Sequence, residues 1–341
     1  MNQNSRYTMK RKRKRKKRIK KRILKWIVLS LILFLGASAT YSAYLLFKTS
    51  AVAEKAQKLL ARGEKSEKRI KPVDPKYDNI SILFVGIDDS EKRKLGGKTR
   101  ADALILATFN RQERSIKMVS IPRDSYVYIP VEQKQDKINH SHVFGDIDGT
   151  IETVEELFDV PVDYYVRLNF NAFIQIVDTL GGIDVDVPIT FTEQDSKDRA
   201  KAIHLEKGYQ HLNGEEALAL ARTRKIDNDL ERGKRQQLIL EAIIQKALSI
   251  KSITRYDDLI EALGDNITTN MSFGELLSLY RYALNGGIDI ERYQLTGNDM
   301  YLNRTYYFQL DEQNVQEISQ MLKRHLELNE TRRAFFQNKA A

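Results

Sequence analysis

Three apolar runs of the sequence, ISILFVGI, ADALILATF and SIKMVSI, each carry charged side chains at one end. If the runs are neighbouring strands of one sheet, these charges meet at a single edge, where open α/β sheets usually bind ligands. Strand ends are also commonly polar, so a structural role is the alternative for any one of them. The charged residues are Asp88 and Asp89 after the first run, Arg100 and Asp102 at the start of the second, and Arg123 and Asp124 after the third.

A second group of charges lies in the segment ARTRKIDNDLERGKRQQ, residues 221–237. Arginine takes four of its six basic positions, and a planar guanidinium binds phosphate oxygens in a bidentate way that lysine cannot. Arg232, Arg235 and Gln236 have a spacing that puts them on one face of a helix. A solvated charged face is the alternative. The arginines are Arg222, Arg224, Arg232 and Arg235, with Asp227 and Asp229 between them.

The N-terminal 47 residues predict a membrane anchor. Residues 1–25 hold 14 of the 56 lysines and arginines and no acid, which leaves 42 basic and 46 acidic residues in the rest. Residues 26–47 are uncharged, and as a helix at ~1.5 Å per residue they span about 33 Å, enough to cross a bilayer. The positive-inside rule places residue 1 in the cytoplasm and the chain after residue 47 outside. The alternative is a signal peptide cleaved after Ala37–Ala39.

The basic tail is better explained as a topology signal that contacts anionic lipids than as a nucleic-acid-binding arm, because it adjoins the predicted span. Residues 48–78 are charged and predict a juxtamembrane spacer. Residues 79–330 alternate strand and helix patterns and predict a single α/β domain, followed by a C-terminal tail at 331–341. There are no cysteines, which excludes a disulfide framework and thiolate metal sites.

Phosphoryl transfer depends on positioning and charge neutralisation. Arginines, and carboxylates that hold a divalent cation, can supply both. The sequence has no GxxxxGK[ST] loop, G-x-S-x-G elbow or HExxH motif. Without a nucleotide-binding loop, a site outside the membrane must use a substrate that already carries the energy, such as a lipid-linked pyrophosphate. His140 and His142 could bind a metal, but hydrogen bonding is the favoured interpretation.

The chain resembles the LytR-CpsA-Psr family of the Gram-positive cell envelope, through eight blocks that occur in the family's order. These blocks are LFVGIDDS, TRADALILATFN, VSIPRDSYV, KINHSHVFG, VDYYVRLNFNAF, VDTLGGIDVDVP, LNGEEALALARTR and DLERGKRQQ. The resemblance implies a domain with a central mixed β-sheet flanked by helices. It also implies a phosphotransferase that moves a glycopolymer, such as wall teichoic acid or capsular polysaccharide, from an undecaprenyl-pyrophosphate carrier to peptidoglycan.

The same resemblance implies a site. A Mg²⁺ ion, replaceable by Mn²⁺, would be held by Asp88 and Asp102, with Asp89 as the alternative to Asp88. Arg100, Asp102, Arg123 and Asp124 would be catalytic. The implied pyrophosphate-binding residues are Arg100, Arg123, Arg222, Arg224, Arg232, Arg235 and Gln236. The implied lipid tunnel has Phe170, Phe173, Ile174, Val177, Leu238 and Ile239 as candidates, for which ordinary core packing is the alternative.

Two other functions fit parts of the sequence. An envelope protein that binds or hydrolyses a lipid pyrophosphate would need the same aspartates and arginines. A membrane-bound transcription regulator is supported only by the basic tail, and the acidic balance of the remaining chain argues against it. The expected partners are therefore the lipid-linked glycan, peptidoglycan and membrane lipids, without nucleic acid.

Overall fold

A computed structural model of the protein describes residues 56–88, 99–223, 228–247, 267–272, 274–276, 278–279 and 287–328. Within them, a six-stranded mixed sheet has the strand order β11-β6-β1-β2-β3-β12. Four two-stranded ribbons accompany it: β4–β5, β7–β10, β8–β9 and β13–β14. The mixed α/β architecture predicted above is confirmed. The strands are β1 Ile80–Ile87, β2 Ala101–Asn110, β3 Ser115–Ser120, β4 Tyr126–Ile129, β5 Lys134–Lys137, β6 Tyr164–Leu168, β7 Ile183–Val187, β8 Phe191–Glu193, β9 Ile203–Leu205, β10 Gly208–Leu212, β11 Ile267–Thr269, β12 Asp289–Gln294, β13 Gly297–Leu302 and β14 Thr305–Leu310.

The three apolar runs form adjacent strands, as predicted. β2 pairs antiparallel with both β1 and β3, so the end of β1, the start of β2 and the end of β3 lie at the same edge of the sheet. β6 joins β1 in parallel, and β12 joins β3 in parallel from far along the chain. The charged ends of the three runs therefore converge, and this edge is called the polar edge below.

Helices cover both faces of the sheet. Helices α1 (His140–Phe158) and α5 (Glu312–His325) pack on one face, over a core that includes Leu83, Leu106 and Phe158. Helix α4 (Asp229–Ala247) packs on the other face, where Leu240 and Ile244 contact a core containing Met118. Helices α2 (Phe170–Thr179) and α3 (Gly214–Arg222) lie beside α4 and the β7–β10 ribbon. The helices thereby enclose space above the half of the sheet that ends at the polar edge.

Local signals set the helix ends where the sequence predicts them. Asn213 and Glu216 form a reciprocal capping box at the start of α3, with each side chain bound to the other residue's backbone N–H. The Ser272 hydroxyl accepts the Glu275 N–H, and Glu275 accepts the Ser272 N–H in return. The kink in α1 at Gly145 and Asp146 was not predicted.

The described part of the predicted spacer packs onto the domain. Leu60 is buried, and the Arg69 guanidinium binds both carboxylate oxygens of the buried Asp163 at 2.8 and 2.6 Å. The Lys58 N–H donates to the Thr269 carbonyl at 2.8 Å. Residues 56–78 therefore form part of the folded unit. No helix within the described ranges has the length and hydropathy to cross a bilayer, and the predicted span at 26–47 lies outside those ranges.

His325 closes the end of the sheet opposite the polar edge and makes stability depend on pH. It is 2% exposed, with Nδ1 2.7 Å from the Thr108 hydroxyl and Nε2 2.8 Å from the Ser115 hydroxyl. Burial, and secondarily the Lys117 cation, lower its pKa from 6.5 to about 4. Between these two pH values the unfolded chain binds the proton and the folded chain does not, so stability is full above pH 6.5 and falls as the pH drops towards 4.

We expect the free energy of unfolding to fall by about 3 kcal/mol between pH 7 and pH 4 because of His325, at about 1.4 kcal/mol for each unit of pKa shift. Urea unfolding of the detergent-solubilised protein at several pH values measures this change. His325→Asn, which keeps hydrogen-bonding capacity but does not titrate, should remove most of the dependence. An unchanged slope in that variant would contradict the assignment.

Candidate active site

A pocket of about 410 Å³ lies between the sheet and helices α2, α3 and α4. Its lining along α4 changes from polar to apolar, because Arg232 and Gln236 are followed on the same helix face by Ile239, Leu240 and Ile243. From the first to the last of these residues, the helix rises about 16 Å. The pocket is thus charged at the polar edge and apolar beneath the helices. This division suits an amphipathic ligand with an anionic head and a hydrocarbon tail.

A β-bulge turns Asp102 into the pocket. Gly86 pairs with Ala103 and Ile87 pairs with Ala101, so Asp102 is the extra residue between two paired positions. Strict alternation would put Ala103 on the pocket face and Asp102 on the opposite face, yet both line the pocket. Asp88 is buried and lines the same end of the pocket. The two carboxylates that the resemblance assigns to a metal therefore share one end of one pocket.

Arg123 occupies the centre of a carboxylate cluster. Its Nη1 donates to Asp102 Oδ1 at 2.5 Å, and its Nε lies 3.4 Å from Asp124 Oδ2 and 3.9 Å from Asp229 Oδ2. Burial acts to lower the pKa of Arg123, but the three carboxylates outweigh it and raise that pKa above its ordinary value. Lys137 Nζ binds Asp124 Oδ1 at 2.8 Å. Because both oxygens of Asp124 face cations, its geometry supports a role in positioning Arg123.

Helix α4 brings a second arginine to the same carboxylates. Arg232 Nη2 donates to Asp229 Oδ2 at 2.8 Å and approaches the Asp102 carbonyl at 3.4 Å. Asp229 was noted in the sequence without a role, and it links Arg232 to Arg123. A Cβ at Gly233 would lie 2.5 Å from the Ser120 hydroxyl, so this glycine lets α4 pack closely against the end of β3. That close approach places Arg232 at the polar edge.

The remaining predicted phosphate-binding residues are placed differently from one another. Arg222 and Gln236 line the pocket, and the Arg222 guanidinium lies 4.6 Å from the centre of the Phe170 ring. Arg235 is buried and donates to the carbonyls of Leu220 (3.2 Å) and Thr223 (2.7 Å), so it fixes the C-terminal end of α3. Arg100 is exposed and is not among the residues that line the pocket. The predicted residues Asp89 and Arg224 lie outside the described residues.

Three of the six residues proposed for a lipid tunnel line the pocket, namely Phe170, Phe173 and Ile239. Val177 and Leu238 belong to the neighbouring core, and Ile174 packs under Gly214, so the core alternative describes these three. The sheet side of the pocket was not predicted, although alternation along the strands indicates which side chains share a face. The sheet residues that line it are Phe84, Val85, Gly86, Ala103, Ile105, Val166 and Leu168.

His140 and His142 lie against backbone and carboxylate oxygens, in keeping with the hydrogen-bonding interpretation favoured above. His140 Nδ1 lies 3.0 Å from Asp136 Oδ2. His142 Nδ1 donates to the Thr99 carbonyl at 2.8 Å, and its Nε2 lies 3.2 Å from Asp146 Oδ1. Across the described residues, no group of three or more His, Asp or Glu side chains has a geometry that could hold a metal ion. Any ion at Asp88 and Asp102 would therefore need oxygen ligands from the substrate or from water.

The sequence model of the LytR_cpsA_psr family matches residues 43–324. The chain belongs to this family. The match includes the pocket and the polar edge and ends within helix α5, so the residues that build the site all lie within the matched range.

Members of the family that resemble this chain include a named transferase and two ligand-bound structures. Polyisoprenyl-teichoic acid–peptidoglycan teichoic acid transferase TagT of Bacillus subtilis (strain 168) is 43% identical over 292 residues, covering 85% of this chain and 90% of TagT. The solved structure "TagT bound to LIIa-WTA" has a TM-score of 0.68 at 42% identity, and covers 80% of this chain and 100% of that one. A family structure "with bound octaprenyl pyrophosphate lipid" has a TM-score of 0.64 at 39% identity, with 80% and 100% coverage.

Proposed function

We propose that this protein is a phosphotransferase that moves a glycopolymer of the teichoic-acid type from a polyprenyl-pyrophosphate carrier to peptidoglycan. The observation that carries the proposal is the division of one pocket into an apolar part and a charged end that is lined by Asp88, Asp102, Arg222 and Arg232, with Arg123 beside it. A polyprenyl pyrophosphate has the same division. The similarity to TagT, which is named as a teichoic acid transferase and whose structure is known with bound octaprenyl pyrophosphate, also supports it.

In this proposal, the phosphates lie at the polar edge and the prenyl chain lies along α4. Arg123, Arg232 and Arg222 bind phosphate oxygens, while Asp124 and Asp229 fix the first two guanidinium groups in position. Fixed charges stabilise the transition state better than mobile ones, because they need no reorganisation during the reaction. Arg235 contributes indirectly by holding the end of α3, which carries Arg222. The role of Arg100 stays a prediction.

The reaction is a substitution at phosphorus. The acceptor hydroxyl oxygen forms a bond to the phosphorus nearest the sugar, and the bond from that phosphorus to the bridging oxygen breaks. Polyprenyl monophosphate leaves with the bridging oxygen and its electron pair, and the hydroxyl proton passes to a carboxylate at the polar edge. Asp124 is poorly placed for this, because both of its oxygens face cations and it does not line the pocket.

A Mg²⁺ ion fits the donor set at the polar edge. Asp88 and Asp102 offer hard oxygen ligands, and Mg²⁺ is commonly bound through one or two carboxylates together with substrate phosphates. Bound there, the ion would neutralise charge on the pyrophosphate. Mn²⁺ accepts similar ligands and would serve as a substitute. We further propose that residues 26–47 anchor the protein in the cell membrane, with residues 1–25 in the cytoplasm and the catalytic domain outside, in contact with membrane lipids.

The decisive experiment supplies full-length protein in detergent with Mg²⁺, a polyprenyl-pyrophosphate glycopolymer and peptidoglycan oligomers. Mass spectrometry should detect a phosphodiester-linked product that disappears on chelation and in Asp102→Asn. Release of glycan phosphate into water alone would instead identify the hydrolase alternative. Tight lipid retention without turnover would indicate a carrier-binding protein, and salt-dependent binding of DNA would revive the regulator.

A further inference from the structure

A second groove, of about 350 Å³, shares no lining residue with the lipid pocket. It runs between the β4–β5 ribbon, the end of β14 and the helices α1 and α5. Besides four aliphatic residues, its lining consists of tyrosines, glutamines and glutamates, and it includes no lysine or arginine. The polar and aromatic lining residues are Tyr126, Tyr128, Gln135, Glu156, Gln309, Glu312 and Gln316, and they define what is called the glutamine groove below.

The β4–β5 ribbon links the glutamine groove to Asp124. Tyr126 and Lys137 are direct cross-strand partners in the β4–β5 ribbon, and so are Tyr128 and Gln135, which places all four side chains on one face. Lys137 Nζ contacts Asp124 Oδ1 at 2.8 Å. One end of the ribbon face therefore touches the carboxylate that positions Arg123, and the other end lines the groove.

The β13–β14 hairpin fixes the other wall of this passage. The Phe308 N–H donates to the Asp124 carbonyl at 2.9 Å, so β14 is bound directly beside Arg123 and Asp124. Tyr307 on β14 packs edge-on against Tyr126 with ring centres 5.0 Å apart, and Lys137 Nζ lies 5.5 Å from the Tyr307 ring. Aromatic pairs of this kind hold the rings in place. The Tyr126 and Tyr307 rings are therefore held in place without a ligand.

The lining indicates which ligand fits. Tyr128 is 43% exposed on a sheet face, and an exposed aromatic face packs well against the C–H face of a sugar ring. The side-chain amides of Gln135, Gln309 and Gln316 make no hydrogen bond to any other residue in the described ranges, and each offers a donor and an acceptor. The only charged lining residues are Glu156 and Glu312, which would repel a polyanionic teichoic-acid chain.

We propose that the glutamine groove binds the glycan strand of peptidoglycan, a chain of amide-bearing hexosamines, and presents its hydroxyl to the polar edge. The inference rests on the proposed function and adds the site that the acceptor occupies. The donor enters from the apolar pocket and the acceptor from the glutamine groove. The two substrates therefore meet at Arg123 without competing for one cavity.

The test compares Tyr128→Ala with Tyr209→Ala, an exposed tyrosine on β10 outside both the pocket and the groove. Full-length protein in detergent is co-sedimented with sacculi stripped of teichoic acid, in enough salt to screen the basic tail. Tyr128→Ala should weaken binding about tenfold and raise the acceptor KM by a similar factor, at about 1–1.5 kcal/mol for one lost aromatic contact, with the donor KM unchanged. Tyr209→Ala should match wild type, and Tyr128→Phe should retain binding.

Gln135→Ala provides a second, smaller truncation whose loss of binding does not depend on the aromatic ring. If Tyr128→Ala binds sacculi as tightly as wild type, or if Tyr209→Ala loses as much, the groove does not bind glycan. If the wild type binds sacculi through Tyr128 but forms no phosphodiester product, the groove stands and the transferase proposal fails. If transfer occurs and Tyr128→Ala keeps the wild-type acceptor KM, the transferase stands and the groove proposal is overturned.

Discussion

Arg123→Ala is expected to lower the rate of transfer at least about a thousandfold, the range found when an arginine that stabilises a transferring phosphoryl group is removed. The variant loses the cation that contacts Asp102, Asp124 and Asp229. Asp102 would then lose its guanidinium partner, while Asp124 keeps Lys137 and Asp229 keeps Arg232. The net negative charge beside the substrate phosphates rises, and like-charge repulsion raises the barrier. Single-turnover measurement of polyprenyl phosphate release from a radiolabelled donor quantifies the loss.

Two further variants separate charge from geometry. Arg123→Lys keeps the charge but loses the planar fork, so we expect it to recover part of the rate and remain about a hundredfold below wild type. Arg324→Ala removes an exposed arginine on α5 and should leave the rate unchanged. Thermal unfolding establishes that each variant is folded. Wild-type turnover by folded Arg123→Ala would exclude Arg123 from the reaction.

Ile243→Trp is expected to raise the KM for a long-chain donor about 200-fold. Ile243 lies on α4 at the apolar end of the pocket, and a tryptophan there would occupy space that the prenyl chain needs. If about four methylene groups are displaced, at about 0.8 kcal/mol each, the lost binding free energy is about 3 kcal/mol. Filling a cavity with an apolar side chain should leave the fold intact.

The length of the donor's prenyl chain decides whether the effect comes from the pocket. A donor with one or two prenyl units does not reach Ile243, so its KM should be the same for the variant and wild type. Gln245→Trp adds the same bulk on the exposed side of the same helix and serves as the matched control. Equal KM increases for short and long donors would place the lipid elsewhere.

The sequence predicted the elements whose signals are local. Alternation and turn residues identified β1, β2 and β3, and adjacent antiparallel pairing of consecutive strands then brought the charged ends together. The capping box at Asn213 and Glu216 marked the start of α3, because its hydrogen bonds lie within four residues. Polar residues at the ends of consecutive strands therefore sufficed to predict the polar edge, while the roles of its individual residues and of Mg²⁺ stay predictions.

Tertiary structure alone decided how the distant segments meet. Arg232 approaches Asp102 across 130 positions of the chain, and only the close packing that Gly233 permits makes that contact. The bulge at Asp102 reverses the direction that alternation assigns to its side chain, and no local sequence pattern predicts the bulge.

The same distinction separates the pocket from the core. Phe173 and Val177 lie four residues apart on α2 and were equal candidates for the lipid tunnel, but only Phe173 lines it. The sequence does not distinguish an apolar side chain in a core from one that lines a cavity, because the hydrophobic effect removes side chains of both kinds from water. Which space stays open depends on how helices α2, α3 and α4 pack against the sheet, and that packing is a property of the whole fold.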